Sequence, residues 1–176
     1  MSVEELSIPG VLLLHPEEHA DTRGWFRELL REEQVGVSFV QANHSHSLQG
    51  VLRGLHYHAK QSDAWYVASG HARVGLADLR TEAEKPPVLF VEMPAEEHQV
   101  LYIPPGVAHG FYAVTELDLI YWVTHYFDNT DEHGVRWDDP ALGIEWGVGD
   151  PVLSERDISA PELNLAQVAT TLSTAD

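Results

Sequence analysis

At 176 residues, 44% of them hydrophobic and 22% charged, the chain has the composition of one globular domain, not of a disordered segment or a coiled coil. Ten Lys and Arg stand against 28 Asp and Glu, and the formal net charge of −18 repels phosphate backbones, which excludes a general nucleic-acid binder. With no cysteine, disulfides, thiol catalysis and thiolate zinc sites are excluded as well.

Met1 to Pro9 carries acids in place of the basic-then-apolar pattern of a secretion signal, and no apolar run reaches the ~18–20 residues of a membrane span. The expectation is a soluble, cytoplasmic protein with neither membrane nor nucleic acid as partner, one domain over residues 1–176. Short segments rich in β-branched and aromatic residues, set between Gly and Pro, predict strands at Val11–Leu14, Gly24–Leu30, Phe39–Ser45 and Val51–Tyr57. The series continues at Ala64–Ser69, His71–Leu79, Val88–Glu92, Val100–Ile103, Gly110–Val114 and Leu117–Phe127. Ala68-Ser69-Gly70-His71 is expected to turn a tight hairpin. Nothing before residue 150 predicts an amphipathic helix longer than two turns, while Pro161–Thr170 predicts one short closing helix and Leu172 to Asp176 a frayed end. Many short strands with close turns predict an all-β sandwich or barrel.

Two stretches carry chemistry. In a strand, His56 and His58 of Leu55-His56-Tyr57-His58 share one face and Tyr57 takes the other. Pro104-Pro105-Gly106 turns the chain so that His109 begins the next strand. With Asp63 and Gly70, the spacings H-x-H-x4-D-x6-G and P-x-G-x2-H resemble the two cupin signatures, which imply a double-stranded β-helix, a jelly-roll barrel with its ligand site inside. One lone histidine is better read as a satisfied interior side chain. Three on a matched pattern favour a site. Three imidazoles and a carboxylate suit a divalent transition metal, whereas one imidazole held by a carboxylate suits proton abstraction.

Seven segments in one order then decide the resemblance: Asp21 to Glu28, Phe39 to Ser45, Gly50 to Tyr57, Ile103 to Phe111, Tyr121 to Phe127, Glu132 to Pro140 and Leu153 to Asp157. Together they resemble the dTDP-4-dehydrorhamnose 3,5-epimerase family of cupin-type isomerases. The resemblance implies epimerisation at C3, C5 or both of a nucleotide-linked 4-keto-6-deoxy sugar, with dTDP as the expected carrier, without cofactor or metal. The C4 carbonyl acidifies both neighbouring positions, and a base within hydrogen-bond reach removes the proton. By resemblance that base is His56, paired with Asp157. Tyr121 is the acid on the opposite face, and His109 contacts the sugar. Arg23 and Arg53 match diphosphate-binding positions, where a planar guanidinium suits bidentate contact, and Arg156 stands where the family carries Lys. Glu28, Gln41 and Asn43 match nucleotide contacts, Phe127 matches a ring stacked on the base, and Glu132 falls on the substrate side. Phe26 is read either as a substrate contact or as core. The family's homodimers imply an N-terminal extension, about residues 1–30, that carries Arg23 and Glu28 into the partner's site.

Two departures lie beside His56. The family carries Gln where this chain has His58, and the enolate-stabilising Lys seven residues before the turn glycine is replaced by Asp63. Losing a cation at a developing negative charge costs on the order of 3 kcal/mol of transition-state stabilisation. Slower turnover, with inversion at one of the two centres, is therefore expected. A buried Asp63 must find a donor in His58, Trp65 or a nearby amide. The alternative readings are a metal-dependent cupin enzyme using His56, His58, Asp63 and His109, and a sugar-nucleotide binder without activity. The intact set His56, Tyr121 and Asp157 favours the epimerase.

Overall fold

The computed structural model describes residues 1–81 and 83–174. Its strands are β1 (Ser2–Glu5), β2 (Leu12–His15), β3 (Glu18–Asp21), β4 (Gly24–Arg27), β5 (Gln41–Ser47), β6 (Leu52–Tyr57) and β7 (Asp63–Ser69). They continue as β8 (His71–Asp78), β9 (Val88–Pro94), β10 (Val100–Ile103), β11 (Val107–Ala113), β12 (Leu117–Val123) and β13 (His133–Gly134). The helices are α1 (Glu32–Val35), α2 (Glu155–Ile158) and α3 (Leu165–Ser173). A six-stranded sheet runs β1-β2-β10-β7-β12-β5, a five-stranded sheet runs β13-β6-β11-β8-β9, and β3-β4 form a separate hairpin. Every strand pairing is antiparallel. This is the all-β jelly roll of the cupin type, with short helices near its C-terminal end.

The core explains the layering. Trp65, Val67, Leu101, Ile103 and Leu119 of the six-stranded sheet meet Val74, Leu76, Met93, Val107 and Phe111 of the five-stranded sheet in one buried cluster. The outer face of the larger sheet is not bare either. Ala64, Tyr66, Val100 and Tyr102 are covered by Leu29, Leu30, Val35 and Phe39 of the connection around α1. The strands β7 and β10 are therefore buried on both faces over most of their length, which is why their sequences do not alternate. Val135, Ile144, Trp146 and Val168 likewise cover the outer face of the smaller sheet.

The predicted hairpin at Gly70 is not formed. The strand β7 pairs with β10 and β12, whereas β8 pairs with β11 and β9, so this turn carries the chain from one sheet to the other. Gly70 has φ +82°, and an added Cβ would lie 2.1 Å from the Glu116 carbonyl. Its tightness comes from crossing between layers. Other boundaries shift too: β4 stops at Arg27 and β12 at Val123, while β11 starts at Val107. The acidic strands β1 and β3 lack the apolar alternation that flags a strand. The helix α3 starts four residues later than predicted, at Leu165, behind its N-cap Asn164, whose side chain accepts the Gln167 N–H at 3.1 Å. It runs to Ser173 and so includes Leu172, where the frayed end was expected to begin, and Ala175 and Asp176 lie outside the described residues.

Candidate active site

Two glycines place the central strand of the site. Gly54 on β6 faces Gly110 on β11, and a Cβ on Gly54 would lie 2.7 Å from the Gly110 Cα. No other residue allows this approach, which sets His56 directly opposite His109 in the ladder. His56 Nε2 lies 2.8 Å from Asp157 Oδ1, a contact across 101 residues of sequence. The carboxylate accepts from Nε2–H, leaving Nδ1 as the unprotonated nitrogen of the neutral ring. Asp157 sits in the first turn of α2, where the Ser154 hydroxyl donates to its Oδ2 at 2.8 Å and caps its backbone N–H at 3.1 Å. Burial pushes the Asp157 carboxyl up, but the hydrogen bonds from His56 and Ser154 outweigh it and hold the group below the usual carboxylate range.

His56 and His109 border a cavity of about 270 Å³ between the sheets, with Asp157 behind His56. Tyr121 enters it from β12 of the larger sheet, whereas His56 and His109 come from the smaller one. Burial, and then the Asp63 and Glu132 carboxylates, push the Tyr121 phenol up against the weaker pull of Arg53, so it is held protonated at neutral pH. The His56 imidazole and the Tyr121 phenol thus come from different sheets, an arrangement that suits proton removal on one face of a bound molecule and proton return on the other.

Deeper in the cavity, His58, Asp63 and His109 are all buried, at 5%, 4% and 5% exposure. Asp63 accepts the Trp65 indole N–H at 3.0 Å and the Gln61 amide at 2.8 Å. Of the expected donors Trp65 is present, and the second is the Gln61 side chain in place of His58 or a backbone amide. Burial drives the His109 imidazole down to about 4 despite the nearby Asp63 carboxylate, which keeps it neutral. His56 is not in the convergent group of metal-ligating type, which holds His58, Asp63 and His109. The four-ligand set expected for a metal cupin is thus three, because His56 is engaged by Asp157.

The remaining expected residues divide in two. Arg53, Phe127, Glu132 and Arg156 border the cavity, with Arg156 paired to Glu132 at 2.8 Å and Arg53 anchored on Ser47 Oγ at 3.0 Å. Gln41 and Asn43 sit on the inward face of the edge strand β5, bonded to each other at 2.6 Å. Arg23, Phe26 and Glu28 stand away from this chain's own cavity. Arg23 pairs with Asp21 at the tip of the β3-β4 hairpin, and Glu28 pairs with Arg31. Phe26 is 63% exposed, so the core reading of that residue is wrong. Sequence reading also missed Asp131, whose carboxylate accepts the backbone N–H groups of Ala59, Lys60 and Gln61 and whose carbonyl holds His58. It missed Ser154 too, although Ser154-x-x-Asp157 carries the spacing of a helix cap.

Inversion of an acidic carbon by two-sided proton transfer is the work of an epimerase, and the fold and cavity define that class on a cupin-type barrel. The family model described as dTDP-4-dehydrorhamnose 3,5-epimerase matches residues 5–164. A dTDP-4-dehydrorhamnose 3,5-epimerase from Shigella flexneri is 37% identical over 174 residues, covering 90% of this chain and 94% of its own. The RmlC epimerase of Legionella pneumophila, solved with dTDP-4-keto-L-rhamnose, superposes with a TM-score of 0.85 at 32% identity over 95% of this chain and 96% of its own. ChmJ, a 3'-monoepimerase from Streptomyces bikiniensis solved with dTDP-quinovose, gives 0.84 at 31% identity over 95% and 90%. The chain belongs to the dTDP-4-dehydrorhamnose 3,5-epimerase family, an isomerase family of deoxysugar biosynthesis.

Proposed function

We propose that this protein epimerises a dTDP-linked 4-keto-6-deoxy sugar, with His56 as base, Asp157 as its partner and Tyr121 as acid. The observation that carries the reading is the His56–Asp157 bond of 2.8 Å at the wall of a cavity shared with a phenol held protonated. The sugar's C4 carbonyl acidifies C3 and C5. His56 takes one of these protons, Asp157 stabilises the imidazolium that results, and Tyr121 returns a proton to the other face. His109 is a neutral sugar contact, Arg53 and Arg156 hold the diphosphate, and Phe127 stacks on the base. Gln41, Asn43 and Glu132 are polar contacts to the substrate. The loss of the expected Lys at Asp63 favours inversion at one centre, the outcome that the name of the similar ChmJ, a 3'-monoepimerase, records for that protein.

The chain works as a cytoplasmic homodimer of one domain each, and its N-terminal extension, about residues 1–30, delivers Arg23, Phe26 and Glu28 to the partner's cavity. Trp25 at 61% and Phe26 at 63% exposure on a detached hairpin support that reading, because such rings rarely project from a monomer. Incubation with dTDP-4-keto-6-deoxyglucose in D2O, followed by NMR at C3 and C5, tests the reaction. Deuterium is expected at one or both carbons with inversion. Its absence from both, in protein that binds dTDP, would remove the epimerase reading.

A further inference from the structure

We propose that His58, Asp63 and His109 form a binding site for one divalent first-row transition cation inside the barrel. Their donor atoms lie within 4.8 Å of one another, on side chains that are all buried. Each imidazole is oriented by a carbonyl at its Nδ1, and the Gln61 amide stands 3.4 Å from His58 Nε2, a long contact that a ligated cation would displace. His58 Nδ1–H donates to the Asp131 carbonyl at 2.8 Å, and His109 Nδ1–H donates to the Val107 carbonyl at 2.9 Å. A carbonyl only accepts, so the proton is fixed on Nδ1 and the lone pair on Nε2 of each neutral ring, the arrangement that orients metal-bound histidines.

The charges point the same way. Asp63 is 4% exposed, and both of its hydrogen bonds come from neutral donors, the Gln61 amide and the Trp65 indole. The neutral His109 ring stands with its Nε2 4.0 Å from the carboxylate, and among the described residues no Lys or Arg nitrogen pairs with Asp63. A buried carboxylate lacking a cation is costly. Each of its oxygens keeps a lone pair, and a divalent ion held between it and the two Nε2 atoms supplies the missing charge. Two imidazoles with one carboxylate suit iron, cobalt, nickel or zinc better than the oxygen-seeking magnesium or calcium. The cavity is the one that His56 and Tyr121 line. Resting on the epimerase reading, a bound cation supplies a Lewis acid for the developing enolate oxygen where the family's Lys is absent.

The outer surface carries a competitor, since His44 and His46 contact Asp118 at 2.9 and 3.2 Å on exposed strands. The test must separate the two. Chelator-treated full-length protein is titrated with Co2+ without substrate, read by visible absorption and calorimetry. One equivalent is expected to bind with the ligand-field bands of nitrogen and oxygen ligation. Affinity should fall at least about 100-fold in Asp63→Asn and His58→Gln and stay unchanged in a His44→Ala, His46→Ala variant. Asp63→Asn keeps an acceptor for the Trp65 indole, and circular dichroism confirms its fold. Failure to bind, or binding that survives Asp63→Asn and His58→Gln but needs His44 and His46, overturns the site. Solvent deuterium exchange into the sugar is measured separately with and without Co2+. Undiminished exchange after chelation overturns the Lewis-acid role, whereas Co2+ binding at this site without any exchange supports the site and sinks the epimerase reading.

Discussion

Asp157 shows how much one buried carboxylate decides. Its hydrogen bond to His56 Nε2–H fixes the tautomer, and in the proposed reaction its charge stabilises the imidazolium formed when a proton is taken. In Asp157→Asn the amide can donate as well as accept, so the tautomer is no longer imposed, and kcat is expected to fall on the order of 10³- to 10⁴-fold. The same pair reports in unfolding. A carboxyl held below its ordinary value stabilises the fold above the unfolded carboxylate pKa and loses that contribution as pH falls through the depressed folded value. Urea unfolding across pH should therefore show a constant gap between the parent and Asp157→Asn near neutrality, narrowing in acid. A gap that widens in acid would contradict the pairing. Tyr121→Phe isolates the other half of the reaction. His56 can still remove and return a proton on its own face, so exchange at the carbon should persist while inversion drops about 10²- to 10⁴-fold. Parallel loss of both would take Tyr121 out of the acid role. The spacing of His56, His58 and His109 and the family landmark at Asp157 were legible in the sequence. The pairing of His56 with Asp157 was legible too, through the family resemblance, but that it leaves only His58, Asp63 and His109 to converge was not, because that depends on where α2 packs.

At the level of elements, the site rests on the close contact of β6 and β11. A methyl on Gly110 would lie 2.6 Å from the Arg53 carbonyl, backbone that cannot swing away. Gly110→Ala is expected to cost about 1–3 kcal/mol and to displace His56 against His109. Gly149→Ala, where a Cβ meets nothing within 4 Å, should be neutral or slightly stabilising and serves as control. Denaturant unfolding with an activity assay on both variants checks this, and equal stability would mean that the two strands can separate at no cost. Ten strands were legible as apolar or alternating segments between turn residues. The acidic strands β1 and β3 were not, since ladder pairing rather than side-chain burial makes them strands: all their residues are exposed. The Gly70 turn was read correctly as a turn and wrongly as a hairpin, because local chemistry demands a sharp reversal without saying whether the next strand joins the same sheet.

For the whole molecule the dominant physical fact is charge. Eighteen excess negative charges in 176 residues repel one another in the compact state, and surface pairs such as Arg136 with Asp138 offset this only locally. Raising NaCl from about 0.01 M to about 1 M shortens the screening length from about 30 Å to about 3 Å, and the melting temperature should rise by several degrees. A flat or falling profile in scanning calorimetry would mean that ion pairs outweigh the repulsion. Composition, turn spacing and motif order by themselves determined an all-β barrel, its family and the residue types of its chemistry, since those depend on local conformation and on which side chains exist. Only the tertiary structure decided that the Gln61 amide and the Trp65 indole are the donors to a buried Asp63, that His58, Asp63 and His109 converge without His56, and that Phe26 is exposed and not core. Those outcomes follow from the packing of segments up to 101 residues apart, and burial and contact across such a span are properties of the folded layers that no local pattern carries.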